Sequence, residues 1–321
     1  MNIIIIGGAG YIGTRLTQNL IEAGHDVTVC DAGWFGWLHL DSRAKKIRKK
    51  TLEITKEDFS SYEVVVFLAG LSNDPMADFD PAGNFIQNGA APAYLAYVAK
   101  KAGVKRFVYA SSCSVYGFTD NQEMKEDSLP KPQYPYGIAK LQAEQAIMML
   151  EDDNFRPISL RKGTVGGWSP RMRFDLVVNT MIKYALTKGK IVVNNPNLWR
   201  PLVDIRDVVQ AYEKSITAST KITGIFNISY KNYTIKDIAK EIKQEMQRHG
   251  YKIAIETKNI HDVRNYKATN VKAIELLNYK PKYSVADSVR EILQNLDLEN
   301  IDFEDKKYYN IKIFKELKND D

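Results

Sequence analysis

The order of segments in this 321-residue chain predicts an α/β protein: a doubly wound parallel sheet with a smaller C-terminal lobe. Three observations carry that prediction. Asn2–Ile6 is a short β-branched run that passes at once into a glycine turn and then an amphipathic stretch. A wholly apolar run at Val64–Phe67 and a largely apolar one at Arg106–Ala110 recur, separated by helical patterns, and Pro157–Arg161 follows in the same alternation of strand and helix. Runs without polar alternation belong to parallel strands covered on both faces. Beyond Arg161 the alternation loosens, which marks a different kind of packing unit.

In order, the first strand ends in Gly7-Gly8-Ala9-Gly10-Tyr11-Ile12-Gly13, and Thr14–Ala23 is amphipathic and stops at Gly24. Strand, glycine turn and helix give the glycines a mechanism: a tight turn, close approach of backbone to a pyrophosphate, and close helix–strand packing. The helix N-terminus adds free N–H groups and partial positive charge. The alternative for such glycines is a plain capping turn. Here a second strand, Asp26–Cys30, ends in Asp31, where a ribose-binding carboxylate belongs, so the reading is a Rossmann-type dinucleotide site. An acid there bonds a 2′-hydroxyl and repels a 2′-phosphate, so NAD is favoured over NADP. Gly7, Gly10, Tyr11, Ile12, Gly13 and Asp31 are the first cofactor candidates.

Trp34-Phe35-Gly36-Trp37 packs either over the adenine side or within the fold. A weak third strand near Thr51–Ile54 makes Glu53 and Ile54 expected neighbours of the adenine. The fourth strand runs into Leu68, Ala69 and Gly70 at the sheet edge. A helix over about 82–102 contains Asn88 and Pro92, and the proline requires a kink or a break. Domain boundaries are expected at 1–165 for the dinucleotide-binding unit and 166–321 for the smaller lobe, with part of 200–230 returning to the main sheet.

Pro135 ends any preceding helix, and Ala139–Ala146 is built of good helix formers, so Tyr136 and Lys140 share one face of a first turn. A free phenol, with pKa near ~10, is a poor base at neutral pH, and an adjacent ammonium lowers that pKa. A Tyr–Lys pair is therefore a proton-transfer device for an alcohol or ketone. Ser112, on the loop after the fifth strand, falls at the same carboxyl edge of the sheet.

Composition bounds the rest. A hydrophobic content of 44% and charged content of 26% are those of an ordinary soluble globular chain. No basic leader precedes Ile3 and no apolar run approaches the ~18 residues of a membrane span, so neither secretion nor membrane association is expected. Two cysteines, Cys30 and Cys113, make no disulfide framework and suit a reducing cytoplasm. The net charge of +6 is partly local to Arg43–Lys50, read as a solvated helix face rather than a nucleic-acid surface. No metal site is expected. In the second half, helical patterns at Phe174–Thr187, Ile205–Thr217, Ile235–His249 and Val285–Leu296 alternate with short strands near Lys190–Val193, Ile225–Ile228 and Lys252–Ile255. Thr234–Asp237 and Ser284–Asp287 read as capping-box starts.

From Gly7 to about Leu296 the chain resembles the extended short-chain dehydrogenase/reductases, in particular the nucleotide-sugar epimerase/dehydratase group. The resemblance rests on Gly7-x-x-Gly10-x-x-Gly13, Asp31, Leu68-Ala69, Asn88, Ser111–Gly117, Tyr136-x-x-x-Lys140, Arg200–Asp207 and Val263–Tyr266. It implies that Ser112 bonds the reacting oxygen, Tyr136 exchanges its proton, and Lys140 binds the nicotinamide ribose and lowers the tyrosine pKa. It also implies that Arg200 and Arg264 hold the substrate pyrophosphate, a bidentate task suited to guanidinium; the alternative is a surface ion pair. A homodimer through the helices carrying Asn88 and Tyr136 is expected.

Departures from the pattern bear on the reaction. The 4,6-dehydratases of the group carry Asp-Glu directly after the catalytic hydroxyl, where this chain has Cys113-Ser114, so that elimination is not expected. The family's Arg-Tyr-Phe-Asn is replaced by Arg161-Lys162-Gly163-Thr164. Cys113, Ser114, Thr164, Arg171 and Arg173 complete the expected substrate wall, Cys113 as a small loop thiol rather than a nucleophile. The expected activity is NAD-dependent 4-epimerisation of a nucleotide-sugar. A dehydrogenase or ketoreductase working on the same residues is the alternative, and a non-catalytic NAD sensor a more distant one.

Overall fold

Seven parallel strands form the centre of the protein. The computed structural model describes residues 1–258 and 265–319. We label β1 Asn2–Ile6, β2 Asp26–Asp31, β3 Lys45–Arg48, β4 Val64–Phe67 and β5 Arg106–Ser112. The strands Arg156–Lys162 and Gly224–Ile228 complete the sheet, whose order is Gly224–Ile228, Arg156–Lys162, β5, β4, β1, β2, β3. The order reverses between β1 and β4, which opens a crevice at their carboxyl ends.

Alternation along β1 explains its apolar run. Ile3 and Ile5 pack under α1 (Tyr11–Glu22) and the helix Ile205–Thr217, with Leu16, Leu20, Val208 and Tyr212. Ile4 and Ile6 face the other way, against Leu95, Ala99, Ala143 and Ile147. All four isoleucines are at most 1% exposed, each contributing about 1.5–3 kcal/mol of burial. The second lobe has its own core, with Ile182, Ile191, Ile238, Ile242, Val289 and Ile292 among its members.

Several elements differ from the sequence reading. The third strand is Lys45–Arg48, and Thr51–Glu53 is a single 3₁₀ turn. As an edge strand it pairs on one side only, so its Lys-rich sequence hid it; part of the basic run Arg43–Lys50 is therefore strand, not a helix face. The segment expected as one helix over 82–102 is interrupted by a π-turn at Phe85–Ala90, followed by the helix Ala91–Lys101. Pro92 cannot donate to Asn88, four residues earlier, and the released Asn88 carbonyl accepts from the Tyr109 hydroxyl at 3.2 Å. Short strands at Phe118–Met124, Thr164–Gly166, Trp199–Asp204, Lys231–Thr234 and Asn265–Ala268, and the helix Asn310–Asn319, had no clear pattern. The Ser284 capping box is present, with Ser284 N–H donating to Asp287 at 2.8 Å and Asp287 N–H to Ser284 Oγ at 3.2 Å.

Candidate active site

A cavity of about 1050 Å³ runs along the carboxyl edge of the sheet from the glycine turn to the second lobe. Its first part is shaped by glycine. Gly7 has φ +81°, and a Cβ there would stand 2.5 Å from Ala69 N. A Cβ on Gly13 would stand 2.5 Å from Gly8 Cα. A Cβ on Gly10 would meet only Gly7 O, at 3.4 Å, so the space before it is open. No side chain caps the start of α1, which leaves its first N–H groups to an anion. Asp31 stands beside this turn, accepting from Ala9 N–H at 3.0 Å and Gly33 N–H at 2.8 Å. Burial raises its carboxyl pKa and the two backbone donors oppose that rise. Close-packed glycines, an uncapped helix start and a fixed carboxylate fit a dinucleotide.

Gly7, Gly10, Tyr11, Ile12, Gly13, Asp31, Leu68, Ala69, Gly70 and Asn88 all line the cavity. Asn88 is fully buried, its amide donating to Leu71 O at 2.8 Å and Asn84 Oδ1 at 2.7 Å, while its own Oδ1 has no partner among the described residues. Glu53 and Ile54 are corrected. The Glu53 carboxylate accepts from Lys50 N–H at 2.8 Å as a local turn cap, and Ile54 is in the core at 3% exposure. Because the strand ends earlier than expected, Lys49, Lys50 and Thr51 form this wall instead.

The middle of the cavity holds Ser112, Ser114, Tyr136, Lys140, Lys162 and Thr164. Ser112 Oγ accepts from Ser114 Oγ at 2.8 Å and Ser114 N–H at 3.2 Å. Its single proton is then left to donate toward Tyr136, which lines the same cavity. Burial drives the Tyr136 phenol above its ordinary value and Asp74 adds to this, while Arg173 and the Ser112 hydroxyl pull it back. Lys140 lies on the same helix face, its Nζ 5.1 Å from the centre of the Tyr109 ring and 5.7 Å from that of Tyr136. Burial lowers its ammonium to about 7. In the protein alone Arg173 is thus a further cation acting on Tyr136. Lys162, register partner of Ser112 on the next strand, donates to Ser111 O at 2.9 Å and bonds Tyr212 Oη at 3.2 Å. Burial and the neighbouring Lys140 push it well below the ordinary lysine value.

Cys113 is corrected too: it is fully buried, its thiol directed at Arg161 O at 3.1 Å, and it does not reach the cavity. The strand ends at Ser112, and the 3₁₀ turn Cys113–Tyr116 buries Cys113 while Ser112 and Ser114 line the cavity. Arg173 and Arg200 line the far part with Tyr184, Lys188 and Lys258. Arg173 pairs with Asp175 at 2.8 Å, and Arg200 lies over the Tyr266 ring at 5.5 Å. Arg171 also lines the cavity, but its guanidinium is stacked on Phe35 at 3.6 Å, and Asp31 and Tyr11 are among its electrostatic neighbours. Arg264 lies outside the described residues. Sequence reasoning missed Lys162, Asp74 and Asn310 as lining residues. Only Lys162 carried a signal, as one of the positions at which the chain departs from the family's Arg-Tyr-Phe-Asn.

Among the described residues no cluster of side chains could hold a metal, and no helix is long and apolar enough to cross a membrane. The profile of the NAD dependent epimerase/dehydratase family matches residues 3–229. The chain is 25% identical over 320 residues to the UDP-glucose 4-epimerase of Lactobacillus helveticus, covering 90% of this chain and 94% of that protein. The enzyme of the same name from Lacticaseibacillus casei is 25% identical, with 92% and 96% covered. The structure of UDP-glucose 4-epimerase from Thermotoga maritima with UDP-glucose is 25% identical, with a TM-score of 0.80 and 92% and 98% of the two chains covered. An NDP-hexosamine 5,6-dehydratase, TunA, shares the fold at 22% identity and a TM-score of 0.81, with 94% and 100% covered. With its glycine turn, its fixed Asp31 and its Ser112–Tyr136–Lys140 cluster in one cavity, this chain belongs to the NAD-dependent epimerase/dehydratase family.

Proposed function

We propose that the chain interconverts nucleotide-sugars epimeric at C4, through a transient 4-keto sugar. The observation that carries this reading is that Ser112 and Tyr136 line one cavity, continuous with the dinucleotide turn and with Arg173 and Arg200. Bound NAD supplies the acceptor, and then the donor, of a hydride at the sugar carbon. Ser112 holds the C4 oxygen and Tyr136 takes its proton, returning it when the carbonyl is reduced. Charge from Arg173, and from the cofactor when bound, brings the buried phenol toward the range where it acts as a base. Lys140 is assigned to the nicotinamide ribose, and Arg200 and Arg264 to the diphosphate of the sugar-nucleotide. Epimerisation needs the keto-sugar to present its other face before the proton and hydride return.

The carboxylate pair of a 4,6-elimination has no counterpart: Cys113 is buried and Ser114 is bonded to Ser112. We therefore propose an epimerase rather than a 4,6-dehydratase. Exposed Phe85, Ile86, Tyr94, Tyr97 and Ile138, on neighbouring helical segments, support a homodimer through that face. Two buried thiols, Cys30 and Cys113, suit a cytoplasmic setting. The test is proton NMR of UDP-glucose, UDP-galactose and their N-acetylamino analogues incubated with the purified chain and NAD⁺. Appearance of the C4 epimer with no net NADH supports the proposal. Keto-sugar release with stoichiometric NADH would replace it with the dehydrogenase reading, and an unsaturated or deoxy product with a dehydratase.

A further inference from the structure

Arg171 is 1% exposed, yet two of its donors, Nε and Nη1, have no acceptor among the described residues. Its third nitrogen, Nη2, donates to Lys307 O at 3.3 Å. A buried guanidinium with unused donors is costly, and a guanidinium stays protonated when its pKa falls only to about 9. The neighbouring carboxylates are engaged elsewhere: Asp31 accepts from Ala9 and Gly33, and Asp175 holds Arg173 and Asn310 N–H. An outside anion is what remains.

The loop that delivers Arg171 is fastened to the start of α1. Tyr11 Oη donates to Gly167 O at 2.7 Å, Ser169 Oγ donates to Tyr11 O at 2.7 Å, and Arg15 donates to Trp168 O at 2.8 Å. The uncapped N-terminus of α1 is where a dinucleotide's diphosphate sits. Phe35, beneath the guanidinium, follows β2 closely, on the cofactor's ribose side. We propose that Arg171, first read as a substrate residue, instead clamps the diphosphate of the cofactor. Arg173, two residues on and electrostatically coupled to Tyr136, remains on the substrate side. The two arginines of one loop thus serve different phosphates. The Lys307 carbonyl ties the clamp to the C-terminal segment, whose Asn310 lines the same cavity and donates to Ser72 Oγ at 2.7 Å.

The inference rests on the nucleotide-sugar reading only in its control arm. Calorimetry on the full chain measures NAD⁺, ADP-ribose, adenosine and UDP against wild type, Arg171→Met and Arg171→Lys. Two lost charge-assisted bonds should weaken NAD⁺ and ADP-ribose roughly ten- to a hundredfold. Adenosine, which lacks the diphosphate, and UDP should change less than twofold, and the lysine variant should fall between. Loss of UDP affinity with NAD⁺ unchanged would return Arg171 to the substrate and overturn the proposal, as would equal loss of adenosine and ADP-ribose. If Arg171→Met fails to fold, the lysine variant decides by the same comparison. Wild type that binds NAD⁺ but no nucleotide at all would refute the substrate reading while leaving this one standing.

Discussion

Lys140→Met should make the protein more stable and inactive. Lys140 is 4% exposed and has no carboxylate partner among the described residues, and burial lowers its ammonium from 10.5 to about 7. The unfolded chain therefore binds a proton between those values that the folded chain does not, so stability contributed by this site falls as pH drops from ~10.5 to ~7 and is level below. Linkage puts the cost at about 4 kcal/mol near pH 7 and about 1 kcal/mol at pH 9.5. Methionine fills a similar volume without the charge and removes that cost. Unfolding entropy of about 2.1 cal/mol/K per residue makes 1 kcal/mol worth about 1.5 °C in a chain of this size. The melting temperature of the variant minus that of wild type should then grow by about 4 °C between pH 9.5 and pH 7. The assay is a calorimetric melt of both proteins across that range, without added cofactor, with turnover measured in parallel. Parallel pH profiles would refute the reasoning, because they would mean that Lys140 keeps an ordinary pKa in the folded chain. A variant that is more stable at neutral pH yet dead would show the site's amine maintained at the expense of the fold.

Tyr136→Phe should lower turnover by about 10²–10⁴ while NAD⁺ affinity holds, read by steady-state kinetics and calorimetry; activity within tenfold of wild type would remove the tyrosine from proton transfer. Glu144→Gln should cost about 3–5 kcal/mol, because it leaves buried Arg161, now 2.6 Å from Glu144, without its counter-charge. Urea titration checks it, and Glu144→Leu with Arg161→Met should recover much of the loss. Gly13→Ala places a methyl 2.5 Å from the Gly8 backbone, so α1 must shift by enough to weaken NAD⁺ binding at least tenfold and cost about 1–3 kcal/mol, visible as a lower melting temperature that added NAD⁺ restores only in part.

The elements legible beforehand were those specified by neighbouring residues. β1, the glycine turn, α1 and Asp31 follow one another within a few tens of residues, and apolar periodicity plus glycine spacing is enough to define them. Tyr136 and Lys140 are set by one helical turn, and a register between adjacent parallel strands brings Ser112 and Lys162 beside them. What required the fold was every property set by distant contact. β3 is an edge strand whose lysines conceal it, so Glu53 and Ile54 were displaced from the adenine wall by a few residues. Cys113 turned inward through the 3₁₀ turn that follows the strand and its contact with Arg161 O. The pKa of Lys140 depends on desolvation by Tyr109 and the surrounding core, not on its spacing from Tyr136. Arg171 and Arg173, two apart in the chain, have different partners, Lys307 O and Phe35 for the first and Asp175 for the second, in a loop that α1 and Lys307 hold from more than a hundred positions away. Local sequence determines which chemistry is present; burial and long-range packing determine its charge, its direction and the ligand it meets.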